Sequence, residues 1–464
     1  MSSPTTLTLD AGRRSRGPRI SGSEQAFALV VVTLLFLEHL AFGGGRREIA
    51  LGFAAAQGLV LTAIILAAPW ARLALTPPTG LWAPAALFCI MLLVAVWSTT
   101  PWVIGGPHPV WTYVAASPAA AVDKSAVHIQ LIQLIALACV FLLGWLLGAD
   151  DERARFALTA LVLAGGAYAI WAFVSHLMDP MTIYGSVPKP FGANRLTGSF
   201  FGANTAGTYF GISAVLTLAY LLERIRARDG QSHGLVDGLL RRGAMGLVAL
   251  AFSIACLVLT ASRGAVAATS VALALFLVWE AVARRWRLLG PAGLGLLGLL
   301  GVLAILVVVG GTPLFARLAA ASPGADRAEI NLVHWGAFLA SPWLGYGLGT
   351  FDLINNLVMT APDYALLWSA HATHNVYLQW LEEAGALGAA PMFLCIASLI
   401  GVTVLAAFRR ARMTTWLRAL LAASLIILIH GATDFALQIP SMSSLWACLL
   451  GLGVGISWRP TVRR

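Results

Sequence analysis

Apolar runs of about 20 residues recur along this chain, separated by short basic clusters. Such a run fits a helix that crosses a bilayer, whereas a membrane β-strand gives alternation over about 10 residues, which this sequence does not show. Since 59% of the residues are hydrophobic and only 11% are charged, the composition excludes a soluble globular domain. The sequence therefore predicts an all-α integral membrane protein.

The apolar runs define about twelve candidate transmembrane spans. If the N terminus is cytoplasmic, 22 of the 30 Lys and Arg residues fall on the cytoplasmic side and 8 on the other, as the positive-inside rule requires. We expect both termini in the cytoplasm, with polar tails at 1–22 and 459–464 and a membrane domain at 23–458. The predicted spans are 25–43, 49–69, 81–99, 126–148, 156–177, 204–223, 244–261, 265–283, 289–311, 384–408, 415–432 and 442–458.

The predicted topology explains the net charge of +10. The basic residues form short clusters between apolar runs, such as 284–287 and 409–412, so we expect no nucleic-acid partner. All five Cys lie inside apolar runs, with neither metal-ligand spacing nor a disulfide pattern. The acids Asp150 and Asp151 begin a helix, where its dipole favours carboxylates, and we interpret them as structural.

The external segment 312–383 is the longest part of the chain that cannot lie in lipid. Polar side chains gathered in one long loop of a membrane protein are candidates for chemistry or recognition. The segment contains Arg327, for which a structural pair with Asp326 is the simplest interpretation. A second external segment, 178–203, is rich in Gly and Asn. A third, 100–125, carries aromatic residues that either stack on sugars or anchor at the membrane interface.

Two further external Arg residues each have two interpretations. Arg263 lies between two apolar runs, where a cation either snorkels to the interface or binds an anion. Arg195 lies in a loop whose Gly residues permit close approach to a ligand but are also usual in turns. Asn204 or Thr205 is a candidate cap for the helix that follows.

His374 is the external His with the most distinctive setting. It precedes a helical pattern in which Tyr377 lies on the same face by the 3- and 4-residue spacing. Glu383 lies about half a turn round that helix, so it is poorly placed to orient His374 directly. His334 and His371 have no comparable setting, and we interpret them as loop or packing residues.

Several short motifs follow one another along the chain. They are Arg195 followed by G-S-F-x-x-A-N at 198–204, T-x-S-R-G-A at 260–265, Arg327 ahead of P-W-L-G-Y-G-L-G-T-F at 342–351, H-N-x-Y-L-Q-x-L-x-E-x-G at 374–385, and the stretch 430–440. Their order resembles the O-antigen ligase and polymerase superfamily. The resemblance covers about residues 190–450. It implies a GT-C type membrane fold and a bacterial inner-membrane glycosyltransferase that uses a glycan linked to a polyprenyl diphosphate such as undecaprenyl diphosphate, in O-antigen, lipopolysaccharide or exopolysaccharide biosynthesis.

The resemblance gives the Arg residues a function. It implies that Arg195, Arg263 and Arg327 bind the diphosphate of the donor, because the external sequence has no Asp-x-Asp metal motif and guanidinium groups bind phosphate oxygens with two donors. We therefore expect metal-independent transfer without a cofactor. The expected partners are the lipid-linked glycan donor, a glycan or lipid acceptor, and membrane lipids.

The resemblance also assigns His374 as the general base, or as the group that aligns the acceptor hydroxyl. Arg263 shares the catalytic assignment, and Asn375 and Glu383 support it. The sequence leaves open whether the chain polymerises repeat units or ligates a finished glycan.

Two other function classes remain as alternatives. A transporter of small solutes fits twelve spans, although the ionisable groups weighed for it lie near span ends and no pair of matching broken helices marks a central site. A membrane scaffold would leave the external Arg and His residues without a purpose.

Overall fold

The computed structural model describes residues 20–74, 81–114, 116–190, 194–226, 243–284 and 323–458. These residues are mostly helical, with one small antiparallel hairpin of Thr182–Ile183 (β1) and Val187–Pro188 (β2). The helices are α1 Gly22–Leu40, α2 Arg47–Ala67, α3 Pro69–Ala74, α4 Trp82–Trp97, α5 Lys124–Gly148, α6 Asp151–Met178, α7 Ala203–Arg226, α8 Ala244–Leu259, α9 Arg263–Arg284, α10 Pro323–Ala340, α11 Phe351–Val358, α12 Tyr364–Leu367, α13 Val376–Arg409, α14 Thr414–Gly431 and α15 Pro440–Ser457.

Nine helices in the described ranges are long and apolar enough to cross a membrane, namely α1, α2, α5, α6, α7, α9, α13, α14 and α15. The shorter apolar helices α4 and α8 also coincide with predicted spans. The predicted all-α membrane fold is therefore confirmed. The span predicted at 289–311, residues 1–19 of the first tail and the second tail lie outside the described residues.

The central helix of the bundle is α7. Its most apolar 18-residue window is 100% buried, and it packs against α6, α8, α9 and α14. Small residues permit this closeness: a Cβ added at Gly211 would lie 2.1 Å from Thr269 Oγ1 on α9. Small side chains at helix contacts are typical of membrane bundles, where backbones approach closely.

Ion pairs tie together the helix ends on the predicted cytoplasmic face. Arg153 Nη1 lies 2.7 Å from Glu24 Oε1, and Arg410 Nη2 lies 3.1 Å from Asp151 Oδ1. Asp150 caps α6 by accepting hydrogen bonds from the first backbone N–H groups of that helix. The structural interpretation of the acidic pair Asp150-Asp151 is therefore confirmed.

The predicted external segment 178–203 meets the end of α1 on the opposite face of the bundle. Ser199 Oγ donates a hydrogen bond to the carbonyl of His39, near the end of α1, over 2.6 Å. The Tyr184 hydroxyl donates to the carbonyl of Leu40. The end of α1 and the segment 178–203 therefore lie together, and the candidate site is built on this face.

A break in α13 receives a turn from the segment that follows α10. Gly385 has φ 62° and ψ 176°, which interrupts the helix and frees carbonyls before the break. The carbonyl of Glu382 accepts from Tyr346 N at 3.1 Å, and that of Glu383 accepts from Gly347 N at 2.8 Å. The turn 342–350 is therefore fixed against α13.

The break also changes a predicted boundary. The predicted span 384–408 begins close to Gly385, but the helical segment starts at Val376, eight residues earlier, and ends at Arg409. The last part of the predicted external segment is therefore continuous with the membrane helix, apart from the kink.

Candidate functional site

His374 lies just outside α13 and has a left-handed backbone, with φ 56°. The helix begins after Asn375, whose Oδ1 accepts from Tyr377 N at 3.1 Å and from Leu378 N at 3.2 Å. The expectation that His374 shares a helix face with Tyr377 is therefore wrong, because the side chain of Asn375 caps the helix. The cap is the observed contribution of Asn375 to this region.

The imidazole of His374 lies beside a buried carboxylate. Its Nδ1 is 3.8 Å from Asp434 Oδ1, and its ring packs edge-on against Phe435 with 5.0 Å between centroids. The side chain of His374 is 26% exposed and that of Asp434 is fully buried. One edge of the imidazole is therefore open to a ligand while the carboxylate is not.

The environment of Asp434 favours its charged form. Burial alone would raise the pKa of this carboxyl, but His374, the charge of His430 and a 3.0 Å hydrogen bond from Asn204 Nδ2 together hold the pKa below its usual value. Asp434 lies in the stretch 430–440 that extended the family resemblance. Its place in that stretch was the available sequence signal, but it was not chosen as a site residue.

Arg195 is joined to Asp434 through Asn204. Arg195 Nε donates to the carbonyl of Thr260 at 2.7 Å, and Nη2 donates to Asn204 Oδ1 at 2.7 Å. The prediction that Asn204 or Thr205 caps α7 is wrong, because the helix begins at Ala203 and the Asn204 side chain makes tertiary contacts instead.

Arg327 and the residue that follows Arg263 adjoin the segment His430–Asp434, which we call the 430–434 turn. Arg263 begins α9 and is half-buried. The residue after it, Gly264, packs so closely that an added Cβ would lie 2.9 Å from His430 Nε2 and 3.1 Å from Thr433 Oγ1. Arg327 Nη1 donates to the carbonyl of Thr433 at 2.9 Å.

The 430–434 turn is thus a common neighbour of part of the predicted site. His374 and Arg327 contact it directly, and Arg195 is linked to it through Asn204. Gly264, the residue after Arg263, packs against it. The predicted pair of Arg327 with Asp326 lies outside the described residues, because the Asp326 side chain is not described.

Glu383 has a different setting from His374, although the helical spacing used to predict this does not apply, because His374 lies outside α13. Its Oε2 accepts from Gly349 N at 2.7 Å and its Oε1 accepts from Gln379 Nε2 at 2.9 Å. It therefore joins the turn 342–350 to α13, and both of its oxygens bond to groups other than the imidazole of His374.

The other two histidines are structural or exposed. His334 is fully buried, with Nδ1 2.7 Å from Glu382 Oε1 and Nε2 3.3 Å from Asn355 Oδ1. This confirms its interpretation as a packing residue. His371 is exposed and lies 3.3 Å from Asp352, which is also exposed.

The described residues contain no group of three or more His, Cys, Asp or Glu side chains arranged to hold a metal ion. Their arrangement at the site instead provides guanidinium groups next to an imidazole and a carboxylate. Guanidinium groups bind phosphate oxygens, and an imidazole beside a carboxylate can accept a proton and be stabilised as a cation. The site is therefore suited to an anionic ligand and to proton transfer.

Residues 248–393 match the family model described as O-antigen ligase. The matched region contains Arg263, Arg327 and His374, whereas Arg195 and Asp434 lie outside it. No curated protein matches the chain. The predicted resemblance to the O-antigen ligase and polymerase superfamily is confirmed by this match.

Proposed function

We propose that this membrane protein of the O-antigen ligase and polymerase superfamily transfers a glycan from a polyprenyl-diphosphate carrier onto a glycan or lipid acceptor. The reaction takes place at the outer face of the bacterial inner membrane, with both termini of the chain in the cytoplasm. The observation that supports the proposal is that His374 and Arg327 contact the 430–434 turn, that Arg195 is linked to it through Asn204, and that Gly264, next to Arg263, packs against it. Cations at the ends of membrane helices suit a donor that combines a lipid tail with an anionic diphosphate.

Arg195, Arg263 and Arg327 bind the diphosphate in this proposal. Hydrogen bonds to protein oxygens hold Arg195 and Arg327 in place. Neither side chain therefore loses its full conformational freedom when the donor binds. Positive charge already in position stabilises a leaving group that gains negative charge in the transition state. The lipid tail of the donor lies along the apolar helices.

His374 acts on the acceptor hydroxyl. The hydroxyl oxygen forms a bond to the anomeric carbon of the donor sugar, and the bond from that carbon to the diphosphate oxygen breaks with its electron pair. The hydroxyl proton passes to His374, whose Nδ1 faces Asp434 and whose Nε2 is therefore the nitrogen assigned to the acceptor. The carboxylate of Asp434 stabilises the imidazolium that forms.

The test measures transfer from a polyprenyl-diphosphate-linked glycan by purified protein in lipid vesicles. Arg263→Ala and His374→Ala should each lower the transfer rate at least about 100-fold, because each removes a group that acts in the transition state. His371→Ala is the matched control, since this imidazole is exposed and bonded only to exposed Asp352, and it should transfer at the wild-type rate. Wild-type transfer by both site variants would refute the proposal.

Two acceptors in parallel assays separate the two forms of the reaction. Transfer onto a growing repeat-unit glycan identifies a polymerase, and transfer onto a lipid core identifies a ligase. Solute uptake by the same vesicles tests the transporter alternative. The transporter alternative would be favoured if the wild type transferred no glycan and if His374→Ala still took up solute.

A further inference from the structure

The backbone of His374 is in a conformation that side-chain-bearing residues rarely adopt, with φ 56°. Such a conformation is unfavourable for a residue with a side chain and persists only where neighbouring contacts impose it. Thr373 and Asn375 flank the residue and bond to each other: Thr373 Oγ1 donates to the carbonyl of Asn375 at 2.8 Å and accepts from its N–H at 3.1 Å. A closed turn therefore surrounds His374.

That turn is tied to the body of the protein through two buried side chains. Thr373 N donates to Gln379 Oε1 at 3.3 Å, and Gln379 Nε2 donates to Glu383 Oε1 at 2.9 Å. The second oxygen of Glu383 accepts from Gly349 N at 2.7 Å. Thr373 is 0% exposed, and Gln379 and Glu383 are each 7% exposed, so water competes little for these bonds.

The hydrogen bonds that link Gly349, Glu383, Gln379 and Thr373 form a chain in which only one arrangement of donors and acceptors is possible. Both ends are backbone N–H groups, which only donate, so each end needs an acceptor. Between them stand one carboxylate, which accepts twice, and one amide, which accepts once and donates once. Each of these three hydrogen bonds then pairs a donor with an acceptor, and the amide of Gln379 has a fixed orientation.

We propose that Gln379 and Glu383 are positioning residues that set the backbone of His374, and through it the imidazole, for glycan transfer. This inference rests on the proposed function. Glu383 therefore acts on His374 through Gln379 and Thr373, although its carboxylate makes no direct bond to the imidazole. The same carboxylate joins the turn 342–350 to the segment that bears His374.

The chain can be broken and rebuilt by two substitutions of nearly equal volume. In Glu383→Gln, the new amide and that of Gln379 present two NH2 groups to each other if both backbone N–H groups keep their acceptors. Adding Gln379→Glu reverses the direction of the middle bond: residue 383 then donates to the carboxylate at 379, and both ends again have acceptors. The double variant also restores the original charge.

The experiment measures kcat and KM for glycan transfer in vesicles, with each rate normalised to the amount of folded protein from size-exclusion chromatography. Glu383→Gln should lower kcat about 10- to 100-fold with KM for donor and acceptor unchanged, because a catalytic group displaced by a fraction of an ångström to about 1 Å loses turnover on this scale. The double variant Glu383→Gln/Gln379→Glu should recover most of the lost kcat. Loss and recovery of kcat at constant KM would not arise from a merely structural role, which would change only the amount of folded protein.

Two results would overturn the inference: a wild-type kcat for Glu383→Gln, or a double variant that is folded but no faster than Glu383→Gln. His374→Ala in the same assay separates this failure from failure of the proposed function. If His374→Ala is inactive while Glu383→Gln is fully active, only the positioning role fails. If His374→Ala is fully active, the catalytic assignment itself fails, and the positioning role fails with it.

Discussion

Replacing Gly385 by Ala should strongly destabilise the protein. The backbone angles of Gly385, φ 62° and ψ 176°, belong to a region that only glycine populates readily, which adds about 1–3 kcal/mol of strain for any other residue. The new Cβ would lie 2.2 Å from the carbonyl oxygen of Trp343 and 2.5 Å from Leu344 N. Both obstacles are backbone atoms, so no change of rotamer relieves the overlap.

The overlap would push the turn 342–350 away from α13. Hydrogen bonds from Ala386 N to the carbonyl of Pro342, at 2.8 Å, and from Leu387 N to that of Trp343, at 3.1 Å, would be weakened or lost. At about 1 kcal/mol for each bond, added to the strain, the loss is about 3–5 kcal/mol of unfolding free energy.

The assay for this prediction is equilibrium unfolding in detergent, with Gly401→Ala as the matched control. Gly401 lies in the same helix, and an added Cβ there has no atom within 4 Å. Because Ala is favoured over Gly in a helix by about 1 kcal/mol, the control should be no less stable than the wild type. An unfolding free energy of Gly385→Ala equal to that of the control would refute this reasoning.

Three further substitutions test other parts of the structure. The pKa of Asp434 is below its usual value, so the stability that its carboxylate contributes is present above that usual value and is lost as the pH falls through the folded-state pKa. Asp434→Asn should therefore be less stable than the wild type at neutral pH. Its unfolding free energy, measured against pH, should also fall less steeply in acid. Gln57→Leu removes the 3.0 Å hydrogen bond to buried Glu38 and should lower the unfolding free energy by about 1–3 kcal/mol in the same assay. An unchanged unfolding free energy would contradict a stabilising role for this bond. Arg195→Lys cannot reproduce the planar fork that bonds the carbonyl of Thr260, so glycan transfer should fall despite the retained charge, and full transfer would show that charge alone suffices.

Much of the fold followed from the sequence, because the length and hydropathy of a membrane span are local properties. The predicted spans coincide with helices wherever the structure describes them, including the short helices α4 and α8. The break at Gly385 was not predicted. A glycine near the start of an apolar run has no local signature of a positive φ, which here follows from the turn 342–350 packing against it.

The candidate site was only partly accessible from the sequence. Arg263 and His374 were selected because a charged or polar residue next to apolar runs is conspicuous, and the family resemblance gave them roles. Asn204 was assigned a local function as a helix cap, whereas its side chain bonds Asp434, 230 positions further along the chain. Tertiary packing determines which residues pair over such a distance in sequence. Local patterns in a single sequence do not predict these pairs.

The enclosure of α7 has a consequence for biogenesis. Its mean hydropathy is 1.4, against 2.2 for α2 and 2.4 for α5, both of which keep more of their surface outside the protein. Such a segment partitions into a bilayer less strongly than α2 or α5 and gains stability when later segments close around it. Since α14 is one of those segments and is synthesised about 200 residues after α7, we expect α7 to reach its final packing only after most of the chain has left the ribosome.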